Sequence, residues 1–306
     1  MFEASVIVCS HNSRQDYLRR TLAALQLQTH SNDGWELLLV DNASQSPLAL
    51  NWDLSWHPHA RHIREDELGL SMARQRGMRE ALADLLVFVD DDNVLHPDYL
   101  AEAIKIKNEW PQLGAWGGSI VAEFETQPPA YLSEFMSVLA LREVHTARWS
   151  NVPTCGDAEP WGAGLCLRAQ VAAAYIESYK SSAIKVGDRV GTALLSGGDT
   201  EIAHVACSLG LGMGVFPVLR VLHLIPRERI EEGYLLRLTQ GIQTSALVLD
   251  YKWRSVPPKS PISVPGIARL VLQLMFTRGI HRRIHWVRFW AKVNACRIVA
   301  TGSDLK

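Results

Sequence analysis

Short apolar runs ending in polar turns alternate with segments of helical spacing over the first three quarters of the chain. "SVIVC" (Ser5 to Cys9) runs into "SHNSR", and Leu18, Leu22 and Leu25 then recur on one helical face. "WELLLVD" ends at Asp41, "RHIRE" reads as a weak strand, and "LSMARQRGMREALAD" as a helix. "LLVFV" (Leu85 to Val89) stops at Asp90, Asp91 and Asp92, and "PDYL" opens the next helix with proline in its first turn. "LGAWGGSIVAEF" is a further strand. A loop-rich middle follows, from Pro128-Pro129 to "SNVPTCGDAEPWGAG", with one helix expected around Leu132 to Arg142. Then come a strand, "GLCLR", a helix, "AQVAAAYIESY", a helix starting at Asp199 or Thr200, and a late strand, "GVFPVLRVLHL". From Glu231 the pattern is helical, broken by "SVPPKSPISVPG". Continuous apolar strands separated by helices predict an α/β fold with a mostly parallel central sheet flanked by helices. The expected division is a domain over residues 1–230 and a helical C-terminal extension over 231–306.

Charge sharpens that division. The 306 residues carry a net charge of −1, but from Lys252 onward eleven Lys or Arg face one acid, a net +10 that leaves −11 for residues 1–251. An acidic body with a basic tail is a poor nucleic-acid binder, and no nucleic-acid partner is expected. The five cysteines form no CxxC and read as reduced thiols of a cytoplasmic protein. "MFEASVIVCSHN" lacks the basic start of a secretory signal, and no apolar run is long enough to span a bilayer.

In a parallel sheet, ligands bind beyond the carboxyl ends of the strands. Polar clusters stand at three such ends: Ser10-His11-Asn12, Asp41-Asn42 and Asp90 to Asp92. One Asp of the triplet would suffice to cap the following helix. Three adjacent carboxylates repel one another, and a hard divalent cation such as Mn²⁺ or Mg²⁺ offsets that repulsion. In "GGDTE", Asp199 and Glu201 are either acids favoured at a helix N-terminus or a general base aimed at an acceptor hydroxyl. His223, closing the late strand, is either structural or a further metal ligand. No GxxxxGK[ST] loop occurs, so a nucleoside diphosphate would be held by metal and basic side chains.

Seven segments in order, "VIVCSHNSR", "LLLVDNAS", "GLSMARQRG", "VFVDDDNVLHPDYL", "WGAGLCLR", "GGDTEIA" and "VLHLIPRERI", resemble the family 2 inverting glycosyltransferases of bacterial type over about residues 4–230. The resemblance implies the A-type nucleotide-sugar transferase fold. It also implies a metal-dependent inverting transfer from a nucleoside-diphosphate sugar, UDP most of all, to a saccharide or lipid-linked acceptor in surface polysaccharide or glycolipid synthesis. Ser10, Asn12 and Arg14 would line the nucleotide pocket, with Asp41 facing the base beside Asn42. Arg74 would help hold the nucleotide, and Arg229 would close over the diphosphate. Asp90 and Asp91 would share ribose and metal contacts, Asp92 would be the direct metal ligand, and His223 its distal partner. Asp199 matches the catalytic base, with Glu201 the second choice. Trp161 and Gly162 fall in the donor-sugar loop. Two departures stand out: Gly198 replaces the acid usual before the base, and Gln75 the asparagine usual after "AR". The alternative is a catalytically weak or inactive sugar-nucleotide-binding relative acting as a scaffold, which predicts loss of these acids; all are present.

"FTRGIHRRIHWVRFWAKVNACRIVA" interleaves six basic residues with Ile280, Ile284, Trp286, Val287, Phe289 and Trp290. Either it is an amphipathic helix packed on the body, its Arg stems covering apolar surface, or it makes a peripheral contact with the inner face of the cell membrane.

Overall fold

The computed structural model describes residues 1–188 and 194–302, so Lys306 of the basic tail lies outside the described residues. The chain divides into two compact units. The first comprises residues 1–125, 140–180 and 199–225, and the second residues 126–139, 181–198 and 226–306.

The first unit is built on one sheet. Strands β1 (Ala4–Ser10), β2 (Trp35–Asn42), β3 (Ala60–Glu65) and β4 (Leu85–Asp90) form its parallel half. β5 (Asn93–Leu95), β6 (Leu113–Phe124), β7 (Arg148–Ser150), β8 (Cys166–Arg168) and β9 (Gly212–Ile225) form the rest, in the order β3-β2-β1-β4-β8-β6-β9-β5, with β7 on β9. The expected α/β architecture is present, and its sheet is mixed: β8 runs antiparallel to β4 and β6, and β5 and β7 antiparallel to β9. Antiparallel neighbours need no helical crossover, which is how strands of three residues fit between longer ones. β5 and β7 are too short to show an alternation in sequence.

Every residue of β1 and β2 is buried, as continuous apolar runs covered on both faces require. Helices α1 (Gln15–Gln26), α2 (Leu48–Asn51), α3 (Leu70–Glu80), α4 (Tyr99–Glu109), α5 (Ala169–Ser181) and α6 (Gly198–Ser208) lie between the strands in the chain. Leu18, Leu22 and Leu25 of α1 join Leu37, Leu39, Val87, Tyr99 and Trp116 in one core. The segment around Leu132, expected as an α-helix, is a run of 3₁₀ turns over Ala130–Leu139.

The second unit is helical: α7 (Glu232–Arg254), α8 (Val264–Phe276) and α9 (Gly279–Thr301). Val186, Leu195, Val248, Leu249 and Ala295 form its core. Among the described residues no helix is long and apolar enough to cross a membrane.

Candidate active site

Strand register assembles the site. β1 pairs with β2 so that Ser10 stands opposite Asp41, and with β4 so that Cys9 stands opposite Asp90. Asp41 in turn lies opposite Arg64. The polar residues that close these three strands therefore share one edge of the sheet. β5 pairs with β9 with Asn93 opposite His223, which carries the chain beyond the Asp triplet to the late strand.

The three carboxylates of the triplet are drawn to different partners. Asp90 Oδ1 accepts from Arg74 Nη2 at 3.4 Å, and Asp91 Oδ2 accepts from Ser10 Oγ at 2.8 Å. Asp92 Oδ1 accepts from Asn93 Nδ2 at 2.9 Å, while its Oδ2 lies 3.5 Å from His223 Nε2. Asp92 and His223 are each only 6 % exposed. Among the described residues no set of three or more His, Cys, Asp or Glu side chains is arranged to cage a metal ion. One carboxylate oxygen beside one imidazole nitrogen is instead an open donor pair. It suits a cation that fills its remaining positions with diphosphate oxygens and water. The residues present thus fit a divalent ion.

Other predicted residues have well-defined places. Asp41 is buried and accepts hydrogen bonds from the Ser44 and Leu48 backbone N–H groups, with Arg64 Nη1 at 2.7 Å. Burial alone would raise its pKa, but these hydrogen bonds and the Arg64 ion pair outweigh it and hold the carboxyl below its usual range. Asn42 ties down the loop before α3, donating to the Glu65 and Glu67 carbonyls and accepting from Gly69 N–H. Asn12 has a left-handed φ of 47° and accepts from Gln45 N–H. Arg14 pairs with Asp16 and Glu125, at 2.8 and 3.0 Å. Gln75 is buried and accepts from Arg79 Nη2 at 3.1 Å. Arg229 belongs to the second unit, in the turn Arg227–Ile230.

The loop from Trp161 to Leu165 joins Asp199 to this edge. Asp199 Oδ2 accepts from the Gly162 backbone N–H at 2.8 Å and its Oδ1 from Thr200 N–H at 2.9 Å. A Cβ on Gly162 would come within 2.6 Å of Arg74 Nη2, so the bare backbone lets the guanidinium pass toward Asp90. Gly164 turns the chain into β8 at a φ of +76°, where Tyr99 OH donates to its carbonyl. One face of the Trp161 ring is covered by the Arg142 guanidinium, 4.3 Å from its centroid.

Around Asp199 lies a cluster that the sequence reading missed. Thr200 Oγ1 donates to Glu159 Oε1 at 2.7 Å, and His204 Nε2 is 3.9 Å from Glu159 Oε2. Burial, aided by the Asp199 charge, pushes the Glu159 carboxyl up to about 7. Burial likewise pulls Arg142 down to about 10, against the pull of Glu159 and Asp199. Glu201 is only 1 % exposed, whereas Asp199 is half-buried at the start of α6. The local signal for Glu159 was its place just before Pro160-Trp161, and for His204 its position four residues after Thr200.

The departure at Gly198 has a steric cause. Asp188 Oδ1 accepts from the N–H groups of Gly197 and Gly198, at 3.3 and 2.9 Å. A Cβ on Gly198 would lie 2.4 Å from Asp188 Oδ2. A carboxylate therefore stands beside position 198, delivered from another point in the chain, and leaves no room for a side chain there.

A mixed sheet flanked by helices, with acids and a histidine gathered at one edge, defines the A-type glycosyltransferase fold. The sequence pattern of glycosyl transferase family 2 matches residues 5–157, half of the chain, and the protein belongs to that family. Two solved structures share the fold. The mannosyltransferase PcManGT from Pyrobaculum calidifontis, in complex with GDP-Man and Mn²⁺, has a TM-score of 0.59 at 17 % identity, covering 97 % of this chain and 86 % of that one. S. aureus TarS 1-349 has a TM-score of 0.53 at 12 % identity, covering 100 % and 93 %. Among curated proteins, the glucosyl-dolichyl phosphate glucuronosyltransferase of Haloferax volcanii is 22 % identical over 135 residues. That match spans 43 % of this chain and 42 % of the relative's length.

Proposed function

We propose that this protein is a metal-dependent inverting glycosyltransferase. It would move a sugar from a nucleoside-diphosphate donor, a UDP-sugar, to a hydroxyl of a saccharide or lipid-linked acceptor in surface polysaccharide or glycolipid synthesis. The observation that carries the reading is the approach of Asp92 Oδ2 to His223 Nε2, 3.5 Å apart and buried, at the edge where Asp90, Asp91 and Ser10 converge. Family membership and a fold shared with a GDP-Man and Mn²⁺ complex support the donor class and the ion.

Mn²⁺ or Mg²⁺ would be held by Asp92 and His223, with Asp90 alongside. When bound, it supplies Lewis-acid stabilisation of the departing diphosphate. Arg74 steadies Asp90 and adds positive charge at the same edge. Asp199 is the base. Its Oδ2, held by Gly162 N–H, takes the acceptor hydroxyl's proton as that oxygen attacks the anomeric carbon from the face opposite the diphosphate. Configuration inverts in that single displacement. Buried Glu201 is a positioning residue rather than the base. Trp161, stacked on Arg142 and packed partly against the core, stands in the loop that would meet the donor sugar. Peripheral contact with the inner face of the cell membrane through the basic C-terminal helices belongs to the same reading.

The test is a panel of nucleotide sugars with and without Mn²⁺, read by thermal shift and by release of the nucleoside diphosphate. The expected result is a Mn²⁺-dependent stabilisation by one donor. A flat response to every donor, with the protein folded, would overturn the reading.

A further inference from the structure

The second unit contains a cavity of about 450 Å³ between α8 and α9. Five of its lining residues are basic, Lys259, Arg269, His285, Arg288 and Lys292, and none is acidic. None of the four Lys or Arg side chains has an ion-pair partner among the described residues. Their neighbours on α9 do: Arg283 lies 2.8 Å from Glu232, and His281 lies 3.2 Å from Glu134. Cations collected around a concavity without carboxylates repel one another, and an oxyanion relieves that repulsion.

Beside the cavity, α8 carries an uncovered apolar face. Its residues toward the cavity are Gly266, Arg269, Leu270 and Gln273, and Leu270 is its one buried residue. At 100° per residue the remaining arc holds Val264, Ile267, Val271, Leu272, Met275 and Phe276, with Arg269 the only charge on the helix. Val264, Met275 and Phe276 are 85 %, 71 % and 83 % exposed. Ser263 caps the helix by accepting from Gly266 N–H. Trp286 and Trp290 of α9 are also exposed, and tryptophan favours the boundary between headgroups and acyl chains.

We propose that the α8–α9 pair is a docking site for anionic lipid. The phosphate of a headgroup enters the cavity on Arg269, Arg288, Lys259 and Lys292, and the apolar face of α8 beds into the interface beside it. Charge complementarity selects this occupant, since a carboxylate-free basic cavity on one side of α8 and an apolar face on the other match the headgroup and acyl layers of an anionic lipid surface. The proposal gives a place and a chemistry to the peripheral membrane contact above and rests on that reading.

The experiment is flotation of the full chain with phosphatidylcholine vesicles, with and without phosphatidylglycerol, alongside sedimentation to read the oligomeric state. The wild type is expected to float with the phosphatidylglycerol vesicles only. Arg269→Gln with Arg288→Gln should weaken that partition about thirty-fold, the share of two cations at an anionic surface. Met275→Ser with Phe276→Ser, at positions too exposed to disturb folding, should weaken it comparably. Wild-type flotation unaltered by either pair would overturn this site while keeping the membrane reading. No flotation at all would overturn both. Self-association abolished by the serine pair, without flotation, would assign the face to a second copy and overturn the lipid proposal. Stabilisation of the protein by inorganic phosphate alone, lost in the Arg269→Gln with Arg288→Gln pair and without flotation, would assign the cavity to a free phosphate and overturn the lipid proposal.

Discussion

Asp92 Oδ2 and His223 Nε2 stand 3.5 Å apart although one residue follows β4 and the other lies in β9. The three-residue strand β5 holds them, with Asn93 opposite His223 and Leu224 N–H bonded to the Asp92 carbonyl at 2.9 Å. Backbone pairing thus brings the two side chains together.

Asp92→Asn and His223→Ala should each remove Mn²⁺-dependent stabilisation by the nucleotide sugar. The expected loss of ion affinity exceeds the roughly 10–100-fold typical of outer-shell partners. Titrating Mn²⁺ against the thermal shift measures it, and chelation should return the wild type to the variants' melting temperature. An undiminished Mn²⁺ response in both variants would place the ion elsewhere.

Asp199→Asn can keep only one of the two backbone hydrogen bonds that the carboxylate accepts, from Gly162 or Thr200 N–H, and it cannot take a proton. Transfer should fall by about 10²–10⁴-fold while donor binding stays near wild type. Glu201→Gln, a change in a wholly buried position, should leave the pH profile of transfer in place. Comparing turnover with donor affinity in the two variants separates base from positioning residue.

Glu159 makes stability fall as pH rises. Its pKa is raised from 4.5 to about 7, so the protonated form is favoured in the folded protein. That contribution is whole below pH 4.5 and is lost as pH climbs through about 7. Glu159→Gln should therefore be more stable than wild type above pH 7, by about 3 kcal/mol at most, with the difference closing below pH 4.5. Urea unfolding at both ends of that window checks the sign, and a pH-independent difference would rule it out.

Gly198→Ala pushes a Cβ toward Asp188 Oδ2 and should cost about 1–3 kcal/mol. Asp188→Ala strands two buried N–H groups and should cost a similar amount, about 1–3 kcal/mol. Because both act on one contact, the double variant should lose less than the sum. Strict additivity in denaturant unfolding would mean that the two positions do not communicate.

Much of the site was legible because its signals are local. An apolar run followed at once by polar residues marks a strand's carboxyl end, and Ser10, Asp41 and Asp90 to Asp92 are all marked that way. Less was legible where partners come from afar. Arg64 on Asp41 and Arg142 over Trp161 have no pattern of their own, and Glu159 gains its raised pKa from burial among Thr200, His204 and Asp199. The replacement at Gly198 looked like a missing acid, and the Asp188 carboxylate occupies the space beside it.

By itself the sequence determined the longer strands and helices and which residues close the strands, because periodicity and chain polarity act between near neighbours; β5, β7 and the 3₁₀ run at Ala130–Leu139 lay beyond it. Tertiary structure alone decided the pairings: Asp92 with His223, Ser10 with Asp91, Asp188 with position 198. It also decided that α8, whose apolar spacing reads like that of a core helix, keeps that face uncovered. Burial and register depend on what packs opposite a residue, and that partner is distant in the chain.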